Sequence, residues 1–239
     1  MSTFLEIVND VARESGISGA AASVSAVTGQ TGQALRFVEW VAQSYKSIQG
    51  RHYNWRWLRS RFTVNTTSGD DEYAGTDCTD SRLSAVITRF KSWIPYDDNG
   101  GPNCKIYLTS GGVGGERWLQ MMPWSHFRAI YRIGSQNNGA PAYFSIDPQN
   151  NLVLGPKPDA VYTIQGEYQM SAQVLAANGD TPEMPSDYHD LIVFEALARY
   201  ARFSAAPEVL AQAEREASRL TRQLEANQLP QISFAPPLA

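Results

Sequence analysis

Charge is the first thing this sequence is short of. Asp, Glu, Lys and Arg make up 18% of its 239 residues, against about 25% in ordinary soluble domains. The net charge of −4 leaves no bulk basic field for holding phosphates. The deficit is concentrated, because no charged side chain occurs in residues 15–35, 133–146 or 226–239. A charge-poor surface is often a contact surface, so these three windows are candidate contact regions.

Cysteine is nearly absent. Cys78 and Cys104 stand 26 positions apart with no pattern of further Cys or His nearby, and a chain this long can hold a core without disulfide or metal, so two reduced thiols are expected. Histidine is limited to His52, His126 and His189, each alone in its segment and each expected at the surface or capping a helix. There is no HExxH helix and no Gly-x-Ser-x-Gly elbow, so zinc hydrolysis and the usual serine-hydrolase arrangement have no anchor. No run approaches 18 consecutive apolar residues, which argues against a membrane-spanning helix. The opening Met1-Ser2-Thr3-Phe4-Leu5-Glu6 carries an acid where a secretory leader is basic, so a cytoplasmic site of synthesis is expected.

What is present is ample apolar material, 43% hydrophobic and 11% aromatic, enough to offset the entropy of ordering. Thr3 followed by Glu6 forms a capping box for a helix over about 4–15, with Phe4, Ile7, Val8 and Val11 as its stripe. Residues 15–35, rich in Gly, Ala, Ser and Thr, read as a flexible connection. A second helix over about 34–49 buries Phe37, Trp40, Val41, Tyr45 and Ile48. The basic-aromatic run from Arg51 to Arg59, with Trp55 and Trp57, can be read as a base-stacking patch, but a turn wedging two indoles under the helices is the expected arrangement in a net-negative chain.

From about residue 61 to 170 the period changes to two. Phe62/Val64, Ile106/Leu108, Phe144/Ile146, Leu152/Leu154 and Tyr162/Ile164/Tyr168 alternate as half-buried strands, separated by turn-forming clusters such as Asp97–Pro102, Gly111–Gly115 and Asp147–Asn151. A short helix over about 123–131 interrupts them, giving an antiparallel β-domain of roughly six to eight strands. Two amphipathic helices follow. One runs from Pro185 to about Phe203 with Leu191, Phe194, Leu197, Ala198 and Ala201 inward. The next starts at Pro207 with Leu210, Ala213, Ala217, Leu220 and Leu224 inward.

The expected fold is therefore α+β. A four-helix bundle is built from residues 1–60 and 171–227, an antiparallel β-domain over 61–170 is inserted into it, and residues 228–239 form an extended arm. That last stretch is apolar at alternate places, and its prolines forbid helix.

The acidic groups Asp70-Asp71-Glu72 and Asp97-Asp98 lie in turn-like sequence without the spacing of a calcium loop and read as solvated turns. Asp180, Glu183, Asp187 and Asp190 lie before and in a first helical turn, where the helix dipole favours them. The Gly111–Gly115 run lacks the Lys-Ser/Thr ending of a phosphate loop and reads as a hairpin tip. No catalytic, cofactor or metal residues emerge, and no enzyme activity is expected. Three other classes bound that expectation. A carbohydrate-acting enzyme would need two acids about 5–10 Å apart in a cleft. A nucleic-acid module would bind DNA through Arg51 to Arg61 with steep salt dependence. A structural protein of another kind would differ only in its place in an assembly.

The order of features resembles a known family. The helix Thr3-Phe4-Leu5-Glu6-Ile7-Val8-Asn9, the helix Arg36-Phe37-Val38-Glu39-Trp40-Val41, and the turn Trp55-Arg56-Trp57-Leu58 are similar to the head-to-tail adaptor (connector) proteins of tailed bacteriophages. So are Gly139-Ala140-Pro141-Ala142-Tyr143, Leu152-Val153-Leu154-Gly155-Pro156-Lys157-Pro158-Asp159, Asp180-Thr181-Pro182-Glu183-Met184-Pro185 and Tyr188-His189-Asp190-Leu191-Ile192-Val193. The resemblance implies a ring of twelve copies beneath the portal protein, contacts with tail or nozzle proteins, DNA passing through the lumen without specific binding, and no membrane. It places the protein in the virion, assembled in the host cytoplasm, with the C-terminal arm lodged in the portal. Leu229, Ile232, Phe234 and Leu238 are then the expected docking residues. Beside this resemblance the nearer alternative is another neck or tail structural protein, which would differ only in its place in the particle.

Overall fold

The computed structural model describes residues 2–17 and 23–230. The described residues form five α-helices and eleven strands in a mixed α+β fold. The chain divides into two compact units, one made of Met1–Leu58 with Ala172–Ala239, the other of Arg59–Ser171.

The first unit contains α1 (Phe4–Glu14), α2 (Gly32–Arg51), α4 (His189–Phe203) and α5 (Pro207–Gln228). Helix α1 starts where its capping box demands: Thr3 Oγ1 accepts the Glu6 amide at 3.3 Å, and Glu6 Oε2 accepts the Thr3 amide at 2.8 Å. The next free amides of that first turn donate to the returning chain, Phe4 to Asp180 O at 2.7 Å and Leu5 to Asn178 O at 3.2 Å. The orphan donors of a helix start are thereby satisfied by a distant segment. Helix α4 packs against α1, α2 and α5, and α1 also packs on α2.

Its position explains a departure from the sequence pattern. Leu191, Ile192, Val193, Ala196, Leu197, Ala198 and Ala201 are all buried while Phe194 is only partly so, because a helix with neighbours on three sides cannot keep a single apolar stripe. Ala213, Ala217, Leu220 and Leu224 form the narrow buried seam of α5.

The connection before α2 also differs from a free tether. Val24 and Val27 are buried. The Asn9 side chain holds both polar groups of the Val24 backbone, at 2.7 and 3.0 Å, and the Val27 amide donates to Asn178 Oδ1 at 2.7 Å. Valines among small residues supplied enough apolar area to seat this part of the connection on the core.

The second unit contains β1–β11 and α3 (Trp124–Tyr131). Its larger sheet runs β4-β3-β1-β11-β6-β7, with β5 also on β11; the smaller runs β2-β10-β9-β8. All five alternating runs seen in the sequence are strands: β1 (Arg59–Asn65), β6 (Lys105–Leu108), β9 (Tyr143–Ile146), β10 (Leu152–Gly155) and β11 (Tyr162–Met170). Five further strands, β2 (Glu72–Tyr73), β3 (Thr79–Asp80), β4 (Ala85–Val86), β7 (Arg117–Trp118) and β8 (Gln120–Met121), are two residues long, too short to show a period. The sixth, β5 (Phe90–Ile94), buries only Trp93 completely. The strand number therefore exceeds the expected six to eight.

The pairing is antiparallel except between β8 and β9, where α3 carries the chain back to run in the same direction, as a parallel neighbour requires. The glycine run before β7 is the expected hairpin tip, since β6 and β7 pair antiparallel on either side of it.

The nine-residue β11 organises the larger sheet. Every residue of β1 pairs with it, from Arg59↔Gln169 to Asn65↔Thr163. Gly166 sits at its middle, where an added Cβ would lie 2.8 Å from both Cys104 Sγ and a Phe62 ring carbon. Gly166→Ala should therefore overpack this core and lower unfolding free energy by about 1–3 kcal/mol. Gly114→Ala, at an open position, should change it by less than about 0.5 kcal/mol. Urea denaturation of the two variants measures the difference.

Candidate functional site

The arm root lies at the C-terminal turn of α5. The Leu229 amide still donates to Glu225 O at 3.0 Å, but its backbone has turned extended, φ −95° and ψ 150°. Pro230 imposes that change by disfavouring the helical region for the residue before it. Leu229 is half-buried at this exit. Ile232, Phe234 and Leu238, the other expected docking residues, lie outside the described residues.

The root is held from two sides. His52 Nε2 lies 2.8 Å from Glu225 Oε1. Arg51 donates to Thr221 Oγ1 at 2.8 Å and pairs with Glu195 of α4. The end of α2 thus ties α4 and α5 together one turn before the arm departs. Behind His52, whose ring meets Trp55 edge-on at 4.8 Å, Trp55 is fully buried, donates Nε1–H to Ile48 O at 3.2 Å and stacks on Trp57 at 4.3 Å. The wedge reading holds for Trp55, since an indole with no exposed surface has no face to offer a nucleobase, while Trp57 is only partly buried.

The remaining polar candidates are mostly held by partners that sequence spacing does not reveal. Asp71 is buried rather than solvated, 3.2 Å from Lys157 Nζ and 3.5 Å from Arg132 Nη1, while Glu72 takes the other nitrogen of Arg132 at 3.4 Å. Asp97 Oδ1 accepts the amides of Asn99 and Gly101 within its own turn, and Asp98 pairs with Arg59 at 2.9 Å. Asp180 belongs to a turn rather than to the helix start. It accepts the Ala177 and Ala176 amides at 2.8 and 2.6 Å, and these bonds hold its carboxyl below the usual carboxylate range. Asp187 and Asp190 do precede and enter α4. Cys78 and Cys104 are unlinked and buried, and burial pushes both thiols up to about 12, keeping them protonated. Among the described residues no group of three or more His, Cys, Asp or Glu is placed to hold a metal, and no helix is long and apolar enough to cross a membrane.

Of the three histidines, His126 is exposed on α3 and His52 half-exposed at the arm root. His189 is the exception to the expected surface role, at 2% exposure. Its Nε2 lies 3.0 Å from Met184 O and its Nδ1 3.3 Å from the Ser2 amide. A carbonyl facing one nitrogen and an N–H facing the other select the neutral Nε2–H tautomer. Its place two residues before the apolar Leu191-Ile192-Val193 run is the available sequence signal of burial.

The arrangement ties the last turns of α5 to the end of α2 and to α4. A family model described as SU10 adaptor protein matches residues 2–235. None of the curated proteins compared with the chain matches it.

His189 gives this unit a pH dependence. Burial lowers its folded-state pKa from 6.5, outweighing the bond to Met184. Below pH 6.5 the unfolded chain takes up a proton that the folded chain resists, so stability is full above that value and falls as the pH drops toward the lowered pKa, by at most about 1.4 kcal/mol per pH unit. Urea unfolding between pH 7.5 and 5 should show a steeper decline for the native sequence than for His189→Gln; parallel declines would contradict this account.

Proposed function

The chain belongs to the SU10 adaptor protein family, and from that membership we propose that it is a head-to-tail adaptor of a tailed phage. Twelve copies form a ring beneath the portal protein, join it to tail or nozzle proteins and enclose part of the DNA conduit. The observation that carries the reading is the family match across residues 2–235. In this role α1, α2, α4 and α5 act as a four-helix bundle, supported by the packing of α4 on the other three. Residues 61–170 are the inserted domain that faces tail components, and residues 228–239 are the portal-docking arm.

The proposal assigns no reaction to the protein: its work is mechanical, in the virion neck, after assembly in the host cytoplasm. The low and net negative charge suits a conduit. Each phosphate contact releases counterions and adds affinity, so a strongly basic lumen would hold DNA that must slide.

The arm is the part open to the most direct biochemical test. An extended segment with apolar side chains at alternate positions binds by main-chain pairing and side-chain pockets, so Ile232, Phe234 and Leu238 enter grooves of the portal. Deleting residues 229–239 should abolish co-purification with the portal protein while leaving the circular dichroism of the remaining chain unchanged. Undiminished co-purification would overturn the assignment of the arm.

A further inference from the structure

The larger sheet of the second unit carries a cleft of about 330 Å³ that the adaptor role does not use. It opens where β11 changes partner: Gln165 faces Lys105 of β6, Glu167 faces Ile94 of β5, and Gly166 lies between them. With Phe62 and Gly166 also in the lining, six of its nine residues are polar or charged. Trp118 stands at its rim on the two-residue strand β7, opposite Lys105 and 55% exposed.

We propose that this cleft binds a neutral sugar ring of a glycan. Three observations select that chemistry. Each of the two cations in the lining has an acid near it, Arg61 opposite Glu167 in the β1–β11 register and Lys105 Nζ 2.5 Å from Glu116 Oε1, a carboxylate just outside the lining. A phosphate or nucleic-acid strand would need an excess of cations. The core of a protein interface is depleted of charged side chains, whereas charged and amide groups dominate here. A pyranose matches both elements of the site: its C–H face covers an indole, which is an apolar platform with a polar edge, and its hydroxyls pair with carboxylate and amide groups.

Two of those groups, Asn103 and Glu167, are already fixed. Asn103 Nδ2 donates to Ile94 O at 3.1 Å and to Glu167 Oε2 at 3.3 Å, so little side-chain ordering remains to be done on binding. The volume lies at the lower end of small-ligand sites, about 300–1,000 Å³, which suits one ring at the end of a chain.

The test uses the full chain and saturation-transfer NMR with the methyl glycosides of glucose, galactose and N-acetylglucosamine, with glucose 6-phosphate as the anionic comparison. At least one neutral glycoside should bind saturably, with transfer strongest at its ring C–H protons and affinity at least as high as that of the phosphate. Trp118→Ala should weaken binding by about tenfold or more. Its exposure makes loss of folding avoidable, as circular dichroism will verify, and Gln165→Ala provides a second lining variant with the same expected direction. Tyr53→Ala, at an aromatic side chain 74% exposed in the other unit, should leave binding unchanged. The proposal is overturned by an absence of saturable transfer from every probe, by equal binding in Trp118→Ala, or by tighter binding of glucose 6-phosphate. Capture of a tail protein through the cleft without glycoside binding would also overturn it.

Discussion

A buried exchange of amide hydrogen bonds closes the helical unit. Gln49, on the last turn of α2 and 1% exposed, donates to Gln173 O at 3.0 Å and accepts the Gln173 amide at 2.7 Å, 124 residues away in sequence. The Gln173 side chain extends the network, accepting from Tyr45 Oη at 2.7 Å and from the Glu183 amide at 2.9 Å and donating to Thr181 O at 3.0 Å. The returning backbone here has no strand or helix to satisfy it, so these side chains supply the partners that a buried segment requires. Losing the Gln49 side chain would take this partner from both the amide and the carbonyl of Gln173, at about 1–3 kcal/mol for each desolvated group.

The clamp lets two stretches separated by a whole β unit fold as one. Once residues 172–184 are fastened to α2, the carbonyls of Asn178 and Asp180 are in place to receive the first amides of α1, and the Asn178 side chain receives Val27. Helix α4 then follows with His189 buried at its start. At the far end, Arg51 and His52 bind α4 and α5, so the last turns of α5 are tied to the same helix end that carries the clamp.

Much of this was legible in the sequence wherever a feature was local and periodic. The capping box at Thr3 and Glu6, the stripes of α1, α2 and α5, and the five strands with clear alternation needed only neighbouring residues to be recognised. The misses share a cause, which is dependence on distant partners. Asp71 looks solvated until Arg132 and Lys157 are brought beside it, and His189 looks like a cap until Met184 and Ser2 enclose it. The two-residue strands exist because β1, β3, β6, β9 and β10 offer them edges. Trp55 was ambiguous between stacking on a base and filling a core, and burial decided it. The expected docking side chains rest on composition alone, and Ile232, Phe234 and Leu238 lie outside the described residues.

The central claim is that this chain occupies the junction between head and tail. A symmetry-free electron cryomicroscopy reconstruction of the virion neck tests it most directly. The account predicts a ring of twelve copies of this chain beneath the portal, with the helical units contiguous and residues 229–239 running into the portal. A neck without such a ring, or density for this chain confined to the tail tube, would contradict it.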